Sequence, residues 1–307
     1  MSAATRERIT AAMRELDYHP NSVARGLRSK RTRTLGFLVV DPSAHFLADP
    51  MTDLFLAGLG DLLRERSYEL LVRSVGGVEK IDDLLEPLYG RRLDAAVVLL
   101  SGVPEERRRW SKALAAIDVP ILLLQEHGGQ APAVTADDRR GAQVLCQHLF
   151  EGGRRRLAFV TAERHWSAIE ERFAGFLDAH TEAKIRPRKS QILWTGGFDP
   201  LAAASRVTTL LKRADRPDAV LCGNDLLALG VIRVARQLGL RVPEDVAVTG
   251  FDDFGFAVAT TPAITTVRIP GYQMGRYAAE ELLRAAAGGD PAQGRHFPTE
   301  LCLRESA

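Results

Sequence analysis

Short apolar runs alternate with longer amphipathic runs along most of the chain after Gly36. The short runs hold β-branched and aliphatic residues, and the longer runs repeat apolar residues at helical spacing. This alternation is typical of βαβ units that build a parallel sheet, whose strands are covered on both faces and so have few polar interruptions. The first series predicts strands at 35–40, 68–74, 94–100 and 119–124, with helices near 51–66, 80–91 and 105–117.

A second series of the same kind follows. It predicts strands at 156–161, 190–194, 218–222 and 246–250, with helices near 167–180, 200–213 and 224–238. Two successive sets of parallel strands indicate an α/β fold of two doubly wound parallel-sheet lobes. Open α/β sheets bind ligands at the carboxyl ends of their strands, so we expect a ligand cleft between the lobes.

Length and composition agree with such a protein. The chain has 307 residues, of which 46% are hydrophobic, enough for about two domains with buried cores. No apolar run approaches the ~20 residues that span a bilayer, and no export signal opens the sequence, so we expect a cytoplasmic protein. The three cysteines, Cys146, Cys222 and Cys302, lie far apart and are expected to be buried small hydrophobes rather than disulfide or zinc ligands.

Charge is distributed unevenly. Residues 1–34 hold eight basic and three acidic residues, a surplus of five, whereas the rest of the chain has a deficit of three. A basic arm on a slightly acidic body is either a solvated linker or a segment that contacts the phosphates of a nucleic acid.

Motifs of known catalytic chemistry are missing. The glycine pairs at 76–77, 128–129 and 196–197 lack phosphate-loop spacing, and the seven histidines show no metal-ligand pairing. The carboxylate pairs at 137–138 and 252–253 have no nucleophile near them in the sequence with which to act as acid and base. We therefore expect a protein that is not an enzyme and that holds no cofactor or metal.

Three stretches are more specific: TRERITAAMRELDYHPNSVARGLRSKRTRTLG at 5–36, GAQVLCQHLFEGGRRRLAFVTAERHWSAIEERFAGF at 141–176, and DAVLCGNDLLALGVIRVARQLGLRVPEDVAVTGFDDFGFAVATTPAITTVRIPGYQMGR at 218–276. Together they resemble the lactose/galactose-repressor (LacI/GalR) family of ligand-responsive transcription regulators. The likeness extends from residue 2 to about residue 290, and the last stretch is the most specific.

The resemblance implies a domain organisation. A truncated DNA-binding headpiece, made of a third helix and a hinge helix, would occupy 1–34. The N-terminal lobe of a periplasmic-binding-protein-like sensor would comprise 35–160 and 267–290, and the C-terminal lobe 161–266 and 291–307. Three crossings between the lobes would then act as a hinge that allows closure on a ligand.

The resemblance also implies effector-binding residues. Arg172 in R-x-x-G-F would reach a polar group of the effector, Phe198 would stack on a sugar-like face, and Asp252 would accept from effector hydroxyls. The other expected contacts are Asn224 or Asp225, Asp137, Phe46, Asp49 and Trp166. The alternatives are a surface pairing of Arg172 with Glu170 or Glu171, a core position for Phe198, and helix capping by Asn224 or Asp225.

The start of the chain resembles the end of a helix-turn-helix headpiece. Ile9, Ala12, Met13 and Leu16 recur at helical spacing and form one apolar face, typical of the third helix. PNSVARGLRSK matches the hinge helix, in which Leu27 would enter the minor groove or pack on a partner hinge. The hinge residues expected at DNA are Asn21, Ala24, Arg25, Leu27, Arg28 and Lys30.

The recognition helix that would precede this segment is not in the sequence, and two possibilities are open. In the first, the gene starts upstream and a GTG valine codon has been written as Met1. In the second, the protein lacks the recognition helix, yet it binds effector and dimerises.

The function implied is a transcriptional regulator, expected to be a repressor, that binds operator DNA as a homodimer and responds to a small effector. The expected effector is a sugar or sugar phosphate, with a purine or nucleoside as the other possibility. Two rivals are a free-standing sugar-binding protein of the periplasmic type and, with least support, a small-molecule enzyme.

Overall fold

The computed structural model describes residues 3–15, 31–41, 49–76, 81–90, 92–162, 166–198, 200–201 and 203–307. The first helix, α1, spans Ala3–Glu15. On its predicted apolar face Ala12 is exposed and Met13 is half-buried, while Leu16 and the side chain of Ile9 lie outside the described part.

The first lobe is a six-stranded parallel sheet. Its elements are β1 (Thr34–Val40), α2 (Pro50–Glu65), β2 (Glu69–Val75), α3 (Ile81–Tyr89), β3 (Ala95–Leu100), α4 (Pro104–Ala115), β4 (Ile121–Leu124) and β5 (Ala133–Ala136), completed by α9 (Gly271–Ala286) and β11 (Arg295–Phe297). The strand order is β11-β5-β4-β3-β1-β2.

Alternation along β1 places apolar side chains on both faces of this sheet. Leu35, Phe37 and Val39 join one core, with residues of α2 and α9. Leu38 and Val40 join a second core, with residues of α3 and α4. Helices on both faces explain why the strands are apolar at nearly every position.

The second lobe is a four-stranded parallel sheet of order β7-β6-β8-β9. Its elements are α5 (Asp138–Glu151), β6 (Leu157–Ala162), α6 (Ser167–Glu182), β7 (Ile192–Thr195), α7 (Ala204–Leu211), β8 (Ala219–Cys222), α8 (Asp225–Gln237) and β9 (Ala247–Thr249). Phe159 faces α5 and α6, and its neighbour Val160 faces α7 and α8.

The chain crosses between the lobes three times: from β5 to α5, from β10 (Thr266–Arg268) to α9, and from β11 to β12 (Glu300–Cys302). β10 and β12 form an antiparallel pair, in which Thr266 lies opposite Cys302. Adjacent connections of this kind are typical of a hinge between two lobes.

The structure differs from the predicted lobe boundaries at two points. A boundary between 160 and 161 would cut β6, which lies wholly in the second sheet. Residues 291–307 do not all belong to the second lobe, because β11 pairs in parallel with β5 of the first sheet. Neither strand was predicted, because β11 (RHF) is polar and β5 (AVTA) lies in no long apolar run.

The cysteines also differ in part from the expectation. Cys146 and Cys222 are buried and free, but Cys302 is half-buried, and its thiol donates to Asp253 Oδ2 at 3.6 Å. Within the described residues, no helix combines the length and apolarity needed to cross a membrane.

Candidate functional site: the interlobe cleft

A cleft lies between the carboxyl ends of the two sets of strands. The first lobe lines it with Asp49, Met51, Thr52, Phe55, Leu99 and Gln125, and the second with Trp166, Ala168, Ile169, Arg172, Phe198, Asn224 and Asp252. Most of the wall is apolar with a few polar groups, as is typical of small-molecule sites.

Arg172 is the centre of the polar wall. It lies in the second turn of α6 and is only 4% exposed. Its Nε donates to Asp138 Oδ1 at 2.7 Å, Nη2 to Asp252 Oδ1 at 2.7 Å, and Nη1 to the carbonyl of Gly223 at 2.6 Å. The expected alternative, a surface pairing with Glu170 or Glu171, is therefore wrong.

The carboxylates keep this arginine charged. Burial alone would lower the pKa of Arg172, but Asp252 and Asp138 outweigh it and raise the pKa above its ordinary value. The guanidinium also lies over the ring of Phe251, with Cζ 4.0 Å from the ring centroid. The cation is thus held on several sides before any ligand arrives.

Two carboxyl groups of the cleft have raised pKa values. Burial raises the pKa of Asp252 to about 6, against the lowering effect of Arg172. Burial and the charge of Asp252 raise the pKa of Asp49 to about 7, although its Oδ1 accepts from the Met51 N–H at the start of α2. Asp252 has φ +98°, a rare conformation for a non-glycine residue, and such strain is concentrated at functional sites.

Asn224 and Asp225 have different roles. Asn224 lines the cleft and also caps α8, since its Oδ1 accepts from the Leu227 N–H at 3.0 Å. Asp225 is fully buried and does not line the cleft, contrary to the prediction for it. Its carboxylate accepts from Thr266 Oγ1 at 2.6 Å and from the Phe254 N–H at 2.7 Å, and burial raises its pKa to about 8.

Asp137 likewise lies outside the lining of the cleft. Its side chain is 38% exposed and caps α5, accepting from the Arg140 N–H. Its neighbour Asp138 is the carboxylate that points inward, where it contacts Arg172 and also lies 3.4 Å from Gln125 Nε2 and from His127 Nε2. The sequence placed two aspartates here, but only the pairing with α6 decides which one turns inward.

The aromatic predictions have mixed outcomes. Phe198 and Trp166 both line the cleft, and both are half-buried. Phe198 also packs against the core of the second lobe, so the core alternative describes part of its surroundings. Phe46 lies outside the described residues, as do the hinge residues Asn21, Ala24, Arg25, Leu27, Arg28 and Lys30.

Sequence reasoning missed part of the site. The first-lobe residues Met51, Thr52, Phe55, Leu99 and Gln125 carry no motif. The useful signal was positional, because Gln125 follows the end of β4 and Leu99 lies near the end of β3, at the sheet edge where ligands bind. Among the described residues, no group of His, Cys, Asp and Glu side chains is arranged to hold a metal ion.

Comparisons with known proteins agree with this geometry. A sequence model described as a periplasmic binding protein-like domain matches residues 146–307. The HTH-type transcriptional repressor PurR of Vibrio vulnificus (strain CMCP6) is 32% identical over 284 residues, which are 92% of this chain and 83% of that protein. The corresponding PurR of Vibrio atlanticus (strain LGP32) is 31% identical with the same coverage.

Solved structures give the same result. The complex of the transcriptional regulator CelR with cellobiose superposes with a TM-score of 0.80 at 29% identity, covering 100% of this chain and 92% of that one. The lac repressor dimer bound to operator and the anti-inducer ONPF has a TM-score of 0.86 at 24% identity, covering 100% and 91%, and shows the shared fold. Because the chain is 32% identical to a PurR repressor over nine-tenths of its length and has this two-lobed cleft, it belongs to the LacI/GalR family of ligand-responsive transcriptional regulators.

Proposed function

We propose that this protein is a transcriptional repressor whose interlobe cleft binds a small polyhydroxyl effector, with an uncharged sugar favoured. The observation that carries the proposal is the buried Arg172 held between Asp138 and Asp252 on the wall of a cleft to which both lobes contribute. A ligand in such a place contacts both lobes at once, so its binding favours one relative arrangement of them.

The chemistry of the wall supports a sugar. Trp166, Phe198 and Phe55 offer apolar faces of the kind that suit the C–H face of a pyranose. Asp49 and Asp252 offer carboxylate oxygens that accept from hydroxyl groups. The charge of Arg172 is already balanced by the carboxylates of Asp138 and Asp252, and a phosphate group would bring further negative charge beside them, which favours a sugar over a sugar phosphate.

A purine is the second candidate. The relatives with 31% and 32% identity are named PurR, whereas the CelR structure at 29% identity contains cellobiose. A flat base also suits the apolar face of Phe198 or Trp166. The two classes make different demands on the carboxylates, since a sugar brings several hydroxyl donors and a purine only a few N–H groups.

The signal travels by linkage between two sites. Effector that binds one lobe arrangement more tightly shifts the population towards it, and operator DNA and effector then change each other's affinity reciprocally, typically by ~1 to 3 kcal/mol. Whether effector releases or recruits the repressor depends on which arrangement it prefers. We expect a homodimer that acts on operator DNA in the cytoplasm, with the hinge segment at the DNA.

A thermal-shift screen tests the proposal. The panel comprises mono- and disaccharides including cellobiose, sugar phosphates, purines and nucleosides. A ligand at 100 times its dissociation constant adds about 2.7 kcal/mol of apparent stability, a rise of several degrees in melting temperature. We expect an uncharged sugar to give this rise. A rise with purines alone would show that the effector is a purine, the second candidate. No rise with any compound of the panel would contradict the proposal of a sugar or purine effector.

A further inference from the structure

A second buried arginine joins the lobes beside the cleft. Arg107 lies on α4 of the first lobe and is only 2% exposed. Two of its contacts are within its own lobe: Nε donates to Glu126 Oε2 at 2.9 Å and Nη1 to the Gly102 carbonyl at 2.7 Å. The third crosses to the other lobe, where Nη2 donates to Glu170 Oε2 on α6 at 2.6 Å.

A second crossing contact lies one helical turn away. The His127 N–H of the first lobe donates to Ser167 Oγ at 3.0 Å, and Ser167 precedes Glu170 by three residues on α6. The two contacts therefore hold the same side of the first turn of α6 against the first lobe.

The surrounding charges allow the Arg107–Glu170 contact to break while the protein stays folded. If the lobes part, Arg107 keeps the buried Glu126 as its counterion, so no charge is left buried without a partner. Glu170 has a side chain that is 27% exposed and enters water readily. A contact that leaves both groups satisfied on separation can open and close, whereas the Arg107–Glu126 pair cannot break without stranding a buried ion.

The same stretch of α6 lines the cleft. The cleft is lined by Ala168 and Ile169, which lie between Ser167 and Glu170 in the sequence, and by Arg172, which follows them. Any motion of this turn relative to the first lobe therefore changes the width of the cleft and the position of Arg172.

We propose that Arg107 and Glu170, assisted by His127 and Ser167, form a latch that sets how readily the two lobes separate. They are positioning residues, which act on the cleft through α6. The latch rests on contacts between the lobes and not on the identity of an effector, so it stands or fails independently of the proposed function.

Hydrogen–deuterium exchange of the ligand-free full chain tests the latch. In Glu170→Gln the amide groups at 125–130 and in the first turn of α6 should exchange about fivefold to thirtyfold faster, the factor that corresponds to losing about one to two kcal/mol of local stability. The control is Glu171→Gln, a neighbouring half-buried glutamate that pairs with no arginine or lysine in the described part of the chain. Its exchange should equal that of the unchanged protein.

A second variant and a stability measurement separate latch from fold. Ser167→Ala removes the contact with the His127 N–H, and it should accelerate exchange of the same segments by a smaller factor. The urea midpoint of Glu170→Gln should stay near that of Glu171→Gln. Equal exchange in Glu170→Gln and Glu171→Gln, or faster exchange spread evenly over both lobes, would overturn the proposal.

Discussion

Replacing Arg172 with methionine removes the cation of the cleft while keeping much of the side-chain volume. Asp138 and Asp252, which are 0% and 4% exposed, would then be buried without their counterion. Breaking a buried pair by removing one partner typically costs about 3–5 kcal/mol, because the remaining charge is uncompensated. The lost stacking on Phe251 acts in the same direction. We expect Arg172→Met to lower the free energy of unfolding by about 3–5 kcal/mol at about pH 8.

The pH dependence of this loss has a definite sign. Without the cation the pKa of Asp252 rises further in the folded protein, whereas in the unfolded chain it returns to about 3.9. The folded variant therefore takes up a proton at Asp252 as the pH falls, and its stability deficit shrinks by up to about 1.4 kcal/mol per pH unit while this group titrates. Urea unfolding followed by tryptophan fluorescence, at about pH 8 and about pH 5.5, measures both quantities.

Arg139→Met is the matched control. Arg139 also joins α5 to α6 through an aspartate, Asp178, at 2.6 Å, but the two side chains are 53% and 37% exposed. An exposed pair of this kind contributes about 0–1 kcal/mol. If Arg172→Met cost no more than Arg139→Met, or if its deficit did not shrink at lower pH, the reasoning about a buried and charge-balanced arginine would be refuted.

Two further predictions concern the second lobe. The pKa of Asp225 is raised to about 8, above its unfolded value, so its contribution to stability is full below about pH 4 and is lost as the pH rises towards 8. Asp225→Asn should therefore flatten the slope of unfolding free energy against pH over this window, by up to about 1.4 kcal/mol per pH unit. Parallel curves for the variant and the unchanged protein would contradict this. A Cβ at Gly223 would collide with the backbone and side chain of Thr161, so Gly223→Ala should destabilise by about 1–3 kcal/mol in thermal unfolding. Gly60→Ala on α2, where a Cβ meets nothing within 4 Å, should instead stabilise by about 0.5–1 kcal/mol, and equal effects at the two sites would refute the packing argument.

The fold was predictable where strands are apolar on both faces. The run LGFLVV corresponds to residues of β1 that are buried without exception, and a short apolar run of this composition is typical of a strand between two layers of helices. β5 and β11 were missed because AVTA and RHF form no long apolar run, and the pairing of β11 with β5 joins distant parts of the chain. The lobe boundaries failed for the same reason, since crossings are defined by which sheet a strand joins and not by its composition.

The site was predictable to the level of segments. Family motifs placed Arg172, Phe198, Asn224 and Asp252 at the cleft, where the structure also has them. They did not distinguish Asp138 from Asp137, because adjacent residues at a helix start point in different directions and only the contact with Arg172 settles the choice. Asp225 turned inward to Thr266 and Phe254, a contact between residues 29 and 41 positions apart that no local pattern records.

The most direct test of the central claim, that the interlobe cleft is the effector site, is calorimetric titration of the sugar found by the thermal-shift screen. The unchanged protein should bind one molecule per chain. Phe198→Ala and Trp166→Ala, which remove apolar faces from the cleft, should each raise the dissociation constant about tenfold or more, a loss of about 1.4 kcal/mol per tenfold. Asp137→Asn, which lies outside the cleft, should leave it unchanged. Unaltered affinity in both aromatic variants would contradict the account and place the effector elsewhere on the protein.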